Sequence, residues 1–316
     1  MTMDLNLLYC FDENYNEQAY VSINSILKHS NINLSIYIVH KDPKSFEMYE
    51  KILRKNENIK SINLYKFKIP NLKFPNLNNK HVSLATYYRI FIEDYIPSQV
   101  NFLLYIDPDV ICLNDPKSEI SKVLNELNKS KNIISAREVG NENSSAEIYK
   151  RLNLKGSGYF NAGVIFINYK EWSKKNIKDK LIDLMRSNYE NIIFWDQDVL
   201  NLYFDGDFNR IDKALNYNFI KKFDDKSYID SVSKSILFLH YSGKTKPWSF
   251  EGVNLYSSRH YLKLYRNLFN VTYHIERKKN KIQFIFAVFE SIYKLKFLKA
   301  EFPLKYLGTL IKKIFV

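Results

Sequence analysis

Cysteine is nearly absent from this chain: two residues in 316, Cys10 and Cys112, both inside apolar runs. Two thiols in such runs are too few for a disulfide framework and behave as small hydrophobes, which fits a reducing compartment. Long hydrophobic runs are missing too. None approaches the ~20 residues that a membrane span needs. The opening MTMDLNLLYCF lacks the basic stretch and cleavage-like site of an export signal, so neither export nor spanning is expected. There is no internal repeat, no low-complexity linker, no Walker loop and no dinucleotide fingerprint. The cluster GSGYFNAG (156–163) lacks the strand–glycine–helix context that would give its glycines that meaning. If phosphates bind here, something other than a glycine loop must neutralise them.

What is present is core-forming material: 46% of the residues are hydrophobic and 16% aromatic. The length suits one large α/β domain, or one domain with an appended segment. A net charge of +13 suggests anionic partners, although an excess of Lys, Asn and Ile is also what AT-rich coding produces. Charge alone therefore does not argue for nucleic acid, and no nucleic-acid partner is expected. The excess is uneven, since residues 270–316 hold ten Lys and Arg against three Glu, a net of +7. The expected division is a globular unit over 1–270 and a basic, aromatic tail over 271–316.

Strand-like runs at 5–11, 34–40, 61–67 and 102–109 alternate with helix-length segments, and Ser83 is placed to cap a helix over LATYYRIFIEDY. Such alternation predicts a mainly parallel sheet with helices on both faces. Sheets of that kind bind ligands beyond the carboxyl ends of their strands, where Asp12 and Asp107 fall. At the fourth strand's end, LLYIDPDV sets Asp107 and Asp109 two residues apart, facing the same way. Like charges there are either solvated in a turn or wanted because a cation sits between them. Pro108 stiffens that turn, and two carboxylates suit a hard divalent ion such as Mg²⁺ or Mn²⁺.

Three further clusters abut apolar runs. FLHYSGKTKPW places His240 at a strand end, followed by Gly243, Lys244 and Lys246. It is either a strand-end histidine with a solvated basic turn, or a third metal ligand with ammonium groups facing a diphosphate. In FWDQDVLNLYF, Asp196, Gln197 and Asp198 precede a helix-like run, where capping and function are compatible. In YFNAGVIFIN, Asn161, Ala162 and Gly163 form either a turn before a strand or a place where small residues let a ligand approach the backbone.

CFDENY, HVSLATYYRI, DPD, YFNAGV, DQD and HYSGKTKPW, in this order over about residues 4–265, resemble glycosyltransferase family 8. These are retaining, metal-dependent sugar transferases that include bacterial lipopolysaccharide galactosyl- and glucosyltransferases. The resemblance implies a single Rossmann-like nucleotide-binding domain of the GT-A type, with a mainly parallel mixed sheet. It implies that Asp12 and Asn14 contact the uridine of a UDP-sugar and that Arg89 and His81 flank it. Asp107, Asp109 and His240 would hold Mn²⁺ or Mg²⁺, and Gly243 and Lys246 would meet the diphosphate. Asn161, Asp196 and Gln197 would surround the transferred sugar. The chain departs from the usual pattern at Phe11 and Lys244.

The expected reaction moves a hexose, galactose in preference to glucose, from UDP to a glycan or glycolipid acceptor such as lipooligosaccharide or capsular polysaccharide. An amide oxygen is a weak nucleophile, so Gln197 is a poor candidate for a covalent intermediate. Asp196 is chemically better, and attack from the leaving-group face is favoured over both. Competing readings are a metal-dependent nucleotidyltransferase and a non-enzymatic basic membrane- or nucleic-acid-binding protein. In the tail, Leu304, Leu307, Leu310, Ile311, Ile314 and Phe315 recur at helical spacing, as do Ile282, Ile285, Phe286, Phe289, Ile292 and Tyr293. With their lysines these read as helices on an anionic membrane surface, or as helices packed on the catalytic domain. The first reading makes the protein cytoplasmic and peripheral on the inner face of the cell membrane.

Overall fold

The computed structural model describes residues 3–77, 83–139, 142–219, 223–276 and 281–315. Along the chain come β1 (Met3–Phe11), α1 (Asn16–His29), β2 (Ile32–His40), α2 (Glu47–Leu53), β3 (Ile59–Lys66), β4 (Phe102–Ile106) and β5 (Val110–Cys112). Next are α3 (Lys117–Lys129), β6 (Ile134–Glu138), α4 (Glu142–Leu152), β7 (Phe160–Asn168), α5 (Tyr169–Lys174), α6 (Ile177–Ser187) and α7 (Trp195–Phe204). The chain then forms β8 (Asn209–Arg210), α8 (Lys226–Val232), β9 (Phe238–His240), α9 (Ser258–Phe269), α10 (Lys281–Tyr293) and α11 (Pro303–Phe315).

Seven strands make one sheet in the order β3-β2-β1-β4-β7-β6-β8, and β5 pairs with β9 in a second, two-stranded sheet. The pairs of β1 with β2, β2 with β3, β1 with β4 and β6 with β8 are parallel, while β7 runs antiparallel to both β4 and β6. The sheet is thus mixed and mainly parallel, as expected. Its strands are hydrophobic on both faces because both are covered. Leu7, Tyr9 and Phe11 of β1 pack with α1 and α3 through Ile23, Ile26, Ile120 and Val123. Leu8 and Cys10 point the other way, into a core that also holds Tyr88, Phe91, Leu181 and Val199. Fully burying each large side chain is worth roughly 1.5–3 kcal/mol, so both faces of β1 contribute to the core. Both cysteines are free and buried.

Ser83 does cap the segment before β4, its Oγ accepting from Ala85 N at 3.2 Å, but Leu84–Asp94 is a 3₁₀ helix kinked at Phe91 rather than an α-helix. Seven of its residues, Arg89 among them, are buried, so packing on all sides sets this backbone in place of helix propensity. Asn161–Gly163 are not a turn before a strand, since they lie inside β7. Asp196–Asp198 likewise do not precede α7 but form its first turn.

The tail is helical, and its two apolar stripes are split. Phe284, Val288, Tyr306 and Leu310 are buried in a core shared with Val21, Trp248, Tyr261 and Tyr265. Phe286, Phe289, Tyr293, Leu304 and Phe315 are 62–87% exposed. Leu304, Ile311 and Phe315 therefore do not share a buried face with Leu310, because α11 is apolar around more of its girth than one stripe. No helix among the described residues is long and apolar enough to cross a membrane.

Candidate active site

Because β1 and β4 are parallel neighbours, their carboxyl ends lie side by side, and Asp12 and Asp107 follow them directly. The Asp-Pro-Asp turn is closed by backbone bonds, Asp107 N to Gly163 O at 2.8 Å and Val110 N to Asp107 O at 3.1 Å. The chain then enters β5, whose Val110 pairs with His240 of β9. That pairing carries the histidine to the aspartates: ligand atoms of Asp107, Asp109 and His240 all lie within 4.8 Å of one another. His240 Nε2 is 3.3 Å from Asp109 Oδ1 and 3.8 Å from Asp107 Oδ2.

The cations around this group are arranged asymmetrically. Asp107 Oδ1 accepts from Arg89 Nη2 at 2.9 Å and from the Tyr105 hydroxyl at 2.5 Å. Lys246 Nζ donates to Asp109 Oδ2 and, at 2.6 Å, to Tyr241 O. Burial opposes the charge of Asp109, yet the Lys246 ammonium beside it holds its carboxyl well below the usual range. Asp109 Oδ1 is buried with no hydrogen-bond partner apart from the His240 ring nitrogen 3.3 Å away. A buried carboxylate oxygen that neither a proton nor a cation meets costs several kcal/mol. Two carboxylates and an imidazole converging there fit a hard or borderline divalent ion.

Arg89 forms the next wall. Its Nε is 2.7 Å from Asp196 Oδ2, its Nη1 donates to Ala162 O, and its guanidinium lies 4.1 Å from the centre of the Tyr105 ring. Burial pushes Asp196 up to about 6, with Arg89 and the Thr86 hydroxyl opposing. Gln197 Oε1 accepts from Ala162 N at 3.1 Å and from Asn161 Nδ2 at 3.2 Å. Gly163 sits beneath His240: a Cβ there would stand 2.2 Å from the ring's Cε1 and 2.6 Å from Nδ1. The histidine ring thus requires this glycine, which also lines the cavity. Gly243, in the loop after β9, has φ of 81°, a conformation that glycine adopts without strain.

These walls enclose a cavity of about 660 Å³, lined among others by Arg89, Asp107, Asp109, Asn161, Asp196, Gln197, His240, Gly243 and Lys246. Nine of the residues picked from sequence thus converge. Asp12 and Asn14 do not line it: Asp12 Oδ1 accepts from Asn14 N at 3.1 Å and Asn14 Nδ2 at 3.2 Å, and Phe11 and Tyr15 form that wall. His81 lies outside the described residues. Residues not singled out from sequence include Tyr15, Thr86 and Trp248, which line the cavity. Asp198 is a structural anchor. Fully buried, it accepts from Arg151 Nη1 at 2.7 Å, the Tyr159 hydroxyl at 2.6 Å, and the amides of Ile193 and Phe194 at 2.8 and 2.7 Å. It fixes the entry to α7, where Trp195 holds a φ of 48°.

The sequence profile of glycosyl transferase family 8 matches residues 6–252. Lipopolysaccharide 1,2-glucosyltransferase of Escherichia coli is 30% identical over 279 residues, 84% of this chain and 78% of that protein. Lipopolysaccharide 1,3-galactosyltransferase of Salmonella typhimurium is 36% identical over 179 residues, 54% of this chain and 51% of that protein. Among solved structures, the galactosyltransferase LgtC in complex with donor and acceptor sugar analogues superposes with a TM-score of 0.67 at 21% identity, covering 83% of this chain and 96% of that one, a likeness of fold. With its motifs gathered at the carboxyl end of such a sheet and most of its length matched, the chain belongs to glycosyl transferase family 8 and is a glycosyltransferase.

Proposed function

We propose that the protein is a retaining hexosyltransferase that moves galactose or glucose from a UDP-sugar to a cell-surface glycolipid such as lipooligosaccharide. The observation that carries this is the convergence of Asp107, Asp109 and His240 beside Lys246 in one cavity at the sheet's carboxyl edge. The lipopolysaccharide acceptors named for the relatives of Escherichia coli and Salmonella typhimurium support the acceptor class, and galactose keeps its preference over glucose only narrowly.

In this reading Asp107, Asp109 and His240 hold Mn²⁺, or Mg²⁺, and Gly243 and Lys246 meet the diphosphate. The uridine would lie at the wall of Phe11 and Tyr15, with Asp12 and Asn14 just outside the cavity's lining as its further contacts and Arg89 beside the donor. Asn161, Asp196 and Gln197 surround the sugar. The bound ion supplies Lewis-acid stabilisation of the departing diphosphate. Lys246 adds a positive charge that acts more strongly as the leaving group's charge grows. The acceptor hydroxyl attacks the anomeric carbon from the side of the breaking C–O bond, and its proton passes to the departing phosphate oxygen, so configuration is retained. Asp196 is tied to Arg89 and Thr86, and Gln197 Oε1 to two N–H donors, so neither offers a free nucleophile. UDP release measured over a panel of UDP-sugars should be confined to UDP-galactose or UDP-glucose, require Mn²⁺ or Mg²⁺, and rise with lipooligosaccharide. Pyrophosphate release from a nucleoside triphosphate instead, or no turnover of any UDP-sugar, overturns the reading.

Residues 271–316 are the membrane-facing unit appended to catalytic residues 1–270 in this proposal, which places the enzyme on the cytoplasmic face of the cell membrane. Exposed Phe286, Phe289, Leu304 and Phe315 stand among exposed lysines, and each basic residue near an anionic surface contributes ~1 kcal/mol. Because the opposite faces of α10 and α11 are core, truncation would confuse docking with folding. Replacing Phe286, Phe289, Leu304 and Phe315 by Ser is expected to leave UDP-sugar hydrolysis intact and to abolish sedimentation with phosphatidylglycerol vesicles at low salt. Unchanged sedimentation by that variant would sink the membrane role.

A further inference from the structure

The amide side chains beneath the cavity form one directed chain, and its direction is set by groups that can only donate. Ala162 N–H points at one end of Gln197 at 3.1 Å and Gly163 N–H at one end of Asn161 at 3.0 Å, so both ends are oxygens. The nitrogen of Gln197 then donates to the Tyr159 hydroxyl at 3.1 Å, which itself donates to Asp198 Oδ1 at 2.6 Å. Asn161 Oδ1 takes a second donor, Asn216 Nδ2, at 2.9 Å. That leaves Asn216 Oδ1, an acceptor only, 2.9 Å from His240 Nδ1. For this contact to be a hydrogen bond, the proton must be on Nδ1. In the neutral ring, the form that can ligate a metal, Nε2 is then a lone pair facing the two aspartates.

We propose that Asn216 is a positioning residue that selects the Nδ1–H tautomer of His240 and so presents Nε2 as a ligand to a divalent cation. The inference rests on the metal reading of Asp107, Asp109 and His240. Asn216 is placed for the task. It is fully buried, 24 residues before His240, and ends the 3₁₀ turn Lys213–Asn216. Its carbonyl accepts from Arg137, while the next residue, Tyr217, is bonded on both sides to β9: Tyr217 N to Phe238 O at 2.9 Å and His240 N to Tyr217 O at 2.8 Å. Backbone and side chain of His240 are thus held from one short segment. Gly163, with no Cβ, leaves room for the ring in that orientation. The same chain of amides ties the metal ligand to Gln197 and Asn161 on the sugar side, so neither can rotate its amide without breaking the other's bond.

The test reads the tautomer directly and the metal separately. Ring-nitrogen ¹⁵N shifts of His240 are recorded on the full chain at neutral pH without added metal, assigned by difference from His240→Asn. Mn²⁺ affinity is then measured by electron paramagnetic resonance. Wild type should show a protonated Nδ1. Asn216→Leu, which removes both hydrogen bonds without opening a large space, should mix the tautomers and weaken Mn²⁺ about 10- to 100-fold. Asn216→Asp keeps an acceptor for Nδ1–H and should hold the tautomer, with Mn²⁺ affinity no weaker than wild type. Proton on Nε2 in wild type, wild-type tautomer and affinity in a folded Asn216→Leu, or a scrambled tautomer in Asn216→Asp each overturns the proposal. Absence of Mn²⁺ binding by a wild type that shows the expected tautomer would instead count against the metal reading.

Discussion

Asp109→Asn is expected to lose transfer on the order of 10³-fold, and Asp107→Asn to follow it closely. A divalent ion on a departing diphosphate supplies several kcal/mol of transition-state stabilisation, and each 1.36 kcal/mol is a decade in rate. The substitution keeps shape and removes one charge. The two positions differ in side effects. Without Asp107, Arg89 still has Asp196 at 2.7 Å, so the fold should be little disturbed. Without the charge of Asp109, the Lys246 ammonium loses its carboxylate partner, and the melting temperature should fall as well. Transfer rates in Mn²⁺ and in chelator, with circular dichroism to report folding, check this. Near-normal, chelator-insensitive transfer by either variant would falsify the metal role.

Lys246→Ala should lower kcat roughly 10²-fold, as removing one donor from a developing oxyanion does elsewhere, and raise the donor KM by less. Its effect on the ion has the opposite sign. Asp109 Oδ2 is shared with the ammonium, so a divalent ion on the same carboxylate meets a second positive charge. With that charge gone, Mn²⁺ should bind the protein more tightly in the absence of nucleotide. Steady-state kinetics together with a Mn²⁺ titration separate the two effects. A change in KM alone would make Lys246 a ground-state contact rather than a partner of the leaving group.

Much of this site was legible because the chemistry clusters in short stretches at strand ends. Asp107 and Asp109 stood out as like charges on one side of a buried strand, and His240 as a histidine ending another. Family resemblance joined them, whereas periodicity could not say that Val110 pairs with His240. What stayed hidden depends on contacts remote in sequence. Asn216 carries no motif, and its importance comes from partners 24 and 55 residues away. Gly163 reads in sequence as part of a turn or as room for a ligand, and its closest constraint, the ring of His240, comes from a strand far along the chain. Asp198 resembled its neighbours in the DQD triplet, yet Arg151 and Tyr159 make it an anchor. Asp12 and Asn14 were chosen for a ligand and are bonded to each other. The tail was read as either docked or exposed; helices apolar around much of their girth do both.

The two-stranded sheet of β5 and β9 closes a long loop, and Lys246 and Asp109, which meet across it, are 137 residues apart in the chain. Closing such a loop costs entropy that only the finished contacts repay, so the three ligand residues come together only once β5 and β9 have paired. A chain in which β9 has not yet paired carries both carboxylates but lacks the imidazole beside them. An ion that binds the closed form and not the open one adds its binding free energy to stability. On the metal reading proposed above, the pairing of three residues in β5 with three in β9 would make the ion a lock on the closed molecule, linking catalytic competence to that closure.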